Sequence, residues 1–368
     1  MFLPSLLMRD MGWAGFLIFA IPNVLGAAAM GWTIKSRAAS VSFVERHPAA
    51  VWWFSAVTLA FHTFWISWFS SFALDVFSMP RNYLFPVLGI SLLFLAVLIP
   101  VIRKNQAPLA AFILLAFSLG VLMATFIFPE NVEATTELVQ RVPISKASVW
   151  MVPVMVFGFL LCPYLDVTFH HARQELDTKA NGRAGFTIGF VGMFVFMIIL
   201  TTRYAGVIIG VLEGRTFTSI AAPLLSAAML LHILCQWIFT VGVHLDRIRT
   251  IGGSGKWKPA LVGLVFVSWG TGLLASRLPE YAGLTGGEVV YRIFMSAYGL
   301  LFPTYVLYRV ISAFKGKSPV SLTVMWIAVI LATPLFWVGF IERQAFLLIP
   351  GMMILLLGAV KPWRFKSA

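Results

Sequence analysis

The amino-acid sequence predicts an all-α polytopic membrane protein: one transmembrane domain over residues 1–368, with about eleven spanning helices. Three observations carry this prediction. Hydrophobic residues fill 60% and charged residues 11% of the chain, and mean hydropathy is +0.91, a composition that suits lipid rather than water. Apolar runs of about eighteen residues or more recur from end to end, each long enough to cross a hydrocarbon layer ~30 Å thick at ~1.5 Å per residue. The runs lack the polar–apolar alternation of barrel strands, so helices remain as the way to satisfy every backbone N–H and C=O in lipid.

Charged or Gly/Pro-rich breaks divide the chain into spans near 12–33, 50–77, 82–102, 107–128, 148–171, 184–211, 219–245, 259–276, 289–311, 321–340 and 344–360. The first begins at Gly12-Trp13 and stops before Lys35; Met1 to Asp10 lacks the basic start and small-residue cleavage pattern of a signal peptide, so this span is expected to act as its own insertion signal. Within it, Pro22-Asn23 predicts an interruption, and Gly26 to Gly31 a face for close helix approach. The second carries Ser55, Thr58, His62 and Trp65 at helical spacing, and the seventh carries His232, Gln236, Thr240 and His244 at i, i+4. Such polar stripes avoid lipid; they line a cavity or glue helices together. Gly185, Gly189 and Gly192 on the sixth span, and Gly270 and Gly272 on the eighth, predict close-packing faces. Only 129–147 and 277–288 are long enough for extra structure between spans.

Charge sets the expected orientation. Of the 27 Lys and Arg, 18 fall in alternate loops (34–49, 103–106, 172–183, 246–258, 309–320 and the tail from 361), which puts those loops and the C-terminus in the cytoplasm and the N-terminus outside. The expected address is the cell inner or plasma membrane. The net charge of +13 is scattered over these loops with no basic stripe or aromatic RNA-binding motif, so no nucleic-acid partner is expected. Cys162 and Cys235 both lie in apolar runs, which argues against a disulfide or thiolate metal site.

The densest chemistry is Cys162-Pro163-Tyr164-Leu165-Asp166-Val167-Thr168-Phe169-His170-His171 in the fifth span. Pro163 frees the carbonyl of Phe159, and Gly158 lowers helix preference further, so a break is predicted there. Asp166 follows within a turn; helical spacing puts His170 on its face. A carboxylate at that depth costs about 2.5–3.5 kcal/mol and calls for a partner or a hydrated cavity, although Asp166 and His170 could instead merely end the helix in the headgroup zone. The candidate site is therefore Asp166, His170 and Tyr164 from this segment, with His62, Trp65, His232, Gln236 and Asn23 from neighbouring spans. No HExxH, GxSxG, Walker or paired-aspartate motif occurs, so no enzyme, metal or cofactor is expected; haem would need histidines facing one another from two helices.

The broken fifth span, the short charged loop Ala172 to Arg183 and the Gly-rich sixth span resemble the sixth and seventh core helices of LeuT-fold secondary transporters, nearest to nucleobase permeases and sodium:solute symporters. Phe2-Leu3-Pro4-Ser5 through Gly31-Trp32 is similar to the exit from the first core helix of a symporter followed by the second, which implies a core lacking its first helix. The resemblance implies a symporter-like carrier of a small solute, with a midplane site and two rocking bundles. It places the seventh span where that family's sodium site has paired hydroxyl residues; Ala227-Ala228-Met229 stands there with Ser226 alone nearby, so a proton is favoured over sodium as coupling ion. Two further readings stay open: a non-transporting sensor or scaffold, and a membrane-embedded enzyme acting on a lipid or isoprenoid head with Asp166 and the histidines as acid–base groups.

Overall fold

A computed structural model describes residues 2–76, 106–127, 130–140, 146–176, 178–213, 221–312 and 318–360. The expected third span at 82–102 and the basic tail lie outside the described residues, as do Arg81, Arg141 and Arg215 of the charge count.

Helices run as α1 (Phe2–Thr33), α2 (Arg37–Arg46), α3 (Pro48–Val76), α4 (Ala107–Ile127), α5 (Glu130–Gln140), α6 (Lys146–Leu161), α7 (Val167–Gln174), α8 (179–212), α9 (Ala221–Ile248), α10 (Ser254–Leu274), α11 (Gly286–Ile311), α12 (Leu322–Ile341) and α13 (Leu348–Val360). Among the described residues eight helices are long and apolar enough to cross a membrane, and no strand is present. This is an all-α integral membrane protein. The seventh expected span coincides with α9, 28 residues long, and the eleventh with α13, at 13 residues the shortest of the apolar helices at expected spans. The outward faces are apolar: Leu17, Ile21 and Leu25 on α1, and Phe266 and Val267 on α10, are exposed where lipid chains would lie.

Hydroxyl and carboxylate caps set several starts. Ser36, Asp166, Thr178, Thr285 and Ser321 each accept a hydrogen bond from a backbone N–H two or three residues on, which satisfies a donor the first turn leaves free. The two longer loops hold local order: α5 fills 130–140, and Tyr281 pairs with Leu284 in a tight turn.

The first span differs from expectation. Helix runs through Pro22 and Asn23, and the interruption lies at Gly12, whose φ of 62° and ψ of −149° favour glycine. A proline inside a helix removes one hydrogen bond, and packing of α1 on α6 holds the turn without it. Phe2–Met11 thereby becomes a separate half-helix, buried between α3 and α11; the Phe2 ring meets Trp68 at 5.4 Å and Tyr291 at 5.0 Å. Its two charges are absorbed there. Arg9 grips Glu288 of α11 with two hydrogen bonds, at 3.0 and 2.6 Å, and Arg292 bonds both Asp10 and Glu288. Two cations thus meet two anions in a buried cluster.

Close approach follows some of the expected glycines. A Cβ on Gly26 would stand 2.0 Å from the Phe159 carbonyl oxygen of α6, and one on Gly272 2.5 Å from the Phe64 carbonyl oxygen of α3. Among the described residues Gly185 abuts only the Leu176 side chain, while Gly189 and Gly270 meet nothing within 4 Å and Gly192 only its own helix's Ile188. Those three are not packing faces. Gly189 and Gly192 lie instead in a π-helical stretch, Thr187–Phe194, of α8.

Candidate functional site: a polar-ended cavity at a broken helix

The site is assembled around the break. α6 stays helical past Pro153 and stops at Leu161; Cys162–Leu165 forms a single 3₁₀ turn that contains Pro163, and Asp166 is extended (φ −78°, ψ 110°) before α7 starts. Asp166 is the N-cap of α7. Its Oδ1 accepts from the backbone N–H of Thr168 at 2.8 Å and from the Thr168 hydroxyl at 2.7 Å. Its Oδ2 accepts no hydrogen bond from the described residues and lies 4.0 Å from His244 Nε2.

Asp166 thus has two roles: through Oδ1 it starts a helix, and the residue also lines a cavity. The cavity measures about 360 Å³. Its polar rim is Asn23 of α1, Thr58 and His62 of α3, Asp166, Thr240 and His244 of α9, and Ser296 and Tyr298 of α11. Its walls are apolar, including Phe54, Phe61, Phe159 and Phe340. Wide π-helical turns at Ala297–Leu301 and Trp337–Ile341 carry Tyr298 and Phe340 into it.

Interhelical hydrogen bonds fix the rim. Thr58 Oγ1 donates to the Phe54 carbonyl at 2.8 Å, so its 2.9 Å contact with the Tyr298 hydroxyl is one it accepts. His62 Nδ1 meets the Thr58 carbonyl at 2.7 Å, and His244 Nδ1 meets Ser55 Oγ at 3.3 Å. Asn23 makes no side-chain hydrogen bond with the described residues. A second cavity of about 170 Å³ adjoins the first, sharing Phe61, His62, Thr240 and Tyr291, and adds Trp65 and Gln236. The indole N–H of Trp65 is buried without a partner among the described residues.

Of the eight expected site residues, Asn23, His62 and Asp166 meet in the larger cavity, and Trp65, Gln236 and His62 in the smaller. The other three are elsewhere. His170 does not share a face with Asp166, because Asp166 is outside the helix; its Nδ1 bonds Ser40 Oγ and its Nε2 the Tyr164 carbonyl, both at 2.9 Å, and its ring stacks on Phe43. It clamps α2 onto α7. Tyr164 turns its hydroxyl to Thr33 Oγ1 at 2.8 Å, on the α1 side. His232 is buried against α4, 2.7 Å from Ser118 Oγ, and acts as helix glue. The side chains of Ser226 and Ala227, on which the sodium argument rests, lie outside the described residues.

Sequence reasoning left out the α11 wall. Tyr291 and Tyr298 recur seven residues apart with Ser296 nearby, a polar stripe like those on α3 and α9, and Glu288 and Arg292 are charges beside or inside an expected span. Comparison with protein-family models, curated proteins and solved structures finds no match for this chain.

Proposed function

We propose that the chain is a secondary transporter that moves a small solute through this cavity, with Asp166 as the solute- or proton-binding group and a proton favoured over sodium as coupling ion. The observation that supports the reading most is the free Asp166 Oδ2 at the break between α6 and α7, facing a cavity inside a bundle of membrane-crossing helices. A carboxylate kept there at a cost of ~2.5–3.5 kcal/mol needs a use, and helix capping employs only its other oxygen. A LeuT-like core belongs to the same proposal. The break at Pro163 and the half-helix Phe2–Met11 ahead of the first full span agree with it. So does the reading of the N-terminus as outside.

The test is reconstitution into proteoliposomes and uptake of a panel of radiolabelled small solutes with and without a pH gradient. At least one solute should accumulate, and Asp166→Asn should abolish its uptake or the pH dependence while leaving the amount of folded protein near normal. No uptake of any solute by well-folded wild-type protein, or normal uptake by Asp166→Asn, would sink the proposal.

A further inference from the structure

The hydrogen bonds inside the cavity point to the class of ligand it takes, an inference that rests on the site just described but not on its conducting anything. Four of the rim groups commit their hydrogens to the protein. Thr58 donates its hydroxyl hydrogen to the Phe54 carbonyl, Ser296 donates to the Arg292 carbonyl at 3.1 Å, and the Tyr298 hydroxyl donates to Thr58. His62 directs Nδ1–H at a carbonyl, which leaves a lone pair on Nε2 in the neutral ring. These four groups have spent their donors on the protein and turn lone pairs inward, beside Asp166 Oδ2, while Asn23 and Thr240, which make no side-chain hydrogen bond with the described residues, keep donors of their own and His244 Nε2 lies 4.0 Å from that carboxylate oxygen.

Among the described residues no Lys or Arg lines the cavity. Arg292, on the α11 wall helix, is committed to Asp10, Glu288 and the Phe340 carbonyl. A hollow with one carboxylate, several acceptors and apolar walls is poorly matched to an anion, which would meet a like charge and lone pairs in a low dielectric. It matches a ligand that brings its own N–H donors and a single positive charge. Aromatic faces at Phe54, Phe61 and Phe159 suit an apolar body and stabilise a cation further. Size sets the scale: a 150 Å³ cavity holds one benzene ring, so about 360 Å³ holds a fused ring pair with a short arm.

We infer that the cavity binds a hydrophobic monocation, a protonated amine on an aromatic body, with its N–H donors on Asp166 Oδ2 and neighbouring acceptors.

The test uses three probes that share one ring system and differ in charge: tryptamine (cation), tryptophol (neutral) and indole-3-propionate (anion). Their binding to the purified full chain in nanodiscs is measured by equilibrium dialysis at neutral pH. Tryptamine should bind about 10-fold or more tighter than tryptophol, the scale of a charge-assisted hydrogen bond, and indole-3-propionate weakest of all. Asp166→Asn should reduce the amine preference to about 2-fold, and Asp166→Glu should retain most of it. The order in wild-type protein decides the matter even where a variant fails to fold. Indole-3-propionate binding as tightly as tryptamine, undiminished tryptamine binding by folded Asp166→Asn, or no binding of any probe up to ~10 mM would overturn the inference. Amine binding without uptake in proteoliposomes would leave the ligand class standing and remove the transporter. Asp166-dependent uptake of an anion would do the reverse.

Discussion

Asp166 Oδ2 and His244 Nε2 face each other at 4.0 Å from two separate elements, the start of α7 and the inner face of α9. That separation is beyond a direct hydrogen bond and suits one bridging water or ligand atom. His244→Gln should therefore weaken solute uptake less than Asp166→Asn does. The double variant should be no worse than Asp166→Asn alone, since both side chains act on one bridged position. Initial-rate uptake measurements check this; losses that add would show two independent contacts.

The buried cluster of Arg9, Asp10, Glu288 and Arg292 is balanced, and removing its least exposed member leaves two arginines with one carboxylate. Glu288 is 2% exposed against 18% for Arg9. Glu288→Ala should cost about 3–5 kcal/mol, and Arg9→Ala distinctly less. Thermal unfolding in detergent, followed by intrinsic fluorescence, gives the order of the two.

Backbone contact at Gly26 leaves no room for a side chain. Gly26→Val should separate α1 from α6 and cost about 1–3 kcal/mol or the fold itself, whereas Gly189→Ala, with nothing within 4 Å, should be neutral. Yield of monodisperse protein on size-exclusion chromatography distinguishes them.

His47, outside the spans at the end of α2, is held well below its usual value, at about 4, by burial first and then by the nearby Arg46, Arg309 and His170. A depressed imidazole resists protonation in the folded state, so the unfolded chain binds the proton more readily. Stability should be level above pH 6.5 and fall as pH drops toward 4. In His47→Gln that slope should be shallower. Melting temperature across this range is the measurement.

The charge-based orientation predicts that the loop holding Ser254 faces the cytoplasm. Ser254→Cys should react with a membrane-impermeant maleimide only after the membrane is opened. Labelling on intact cells would reverse the orientation.

Eight of the spans and the Pro163 break were legible in the sequence because lipid imposes length and apolarity one residue at a time, and a missing N–H is a local fact. The Asp166–His170 pairing was not. It assumed helical spacing through a segment that the same proline unwinds, and the N-cap role of Asp166 rotates His170 away toward Ser40. Pro22 shows the opposite case: tertiary packing held a helix where local chemistry favoured a break. The α3 and α9 stripes did mark facing helices, as Ser55 to His244 shows, but periodicity could not tell which members reach a cavity and which, like His232, pair with a third helix. The α11 contribution depends on which helix lies opposite, information no single-helix pattern contains.

The grip of Arg9 on Glu288 joins residues 279 positions apart, and this separation governs how the protein is made. At a synthesis rate of ~5–20 residues per second, Arg9 leaves the ribosome roughly 14–56 s before its partner exists. In the finished fold Arg9 also pairs with its neighbour Asp10, at 3.0 Å. The half-helix they sit on takes up its final environment only after α11 has entered the membrane. A chain cut short anywhere before α11 therefore lacks Glu288 and Arg292, the partners of Arg9 and Asp10 on that segment.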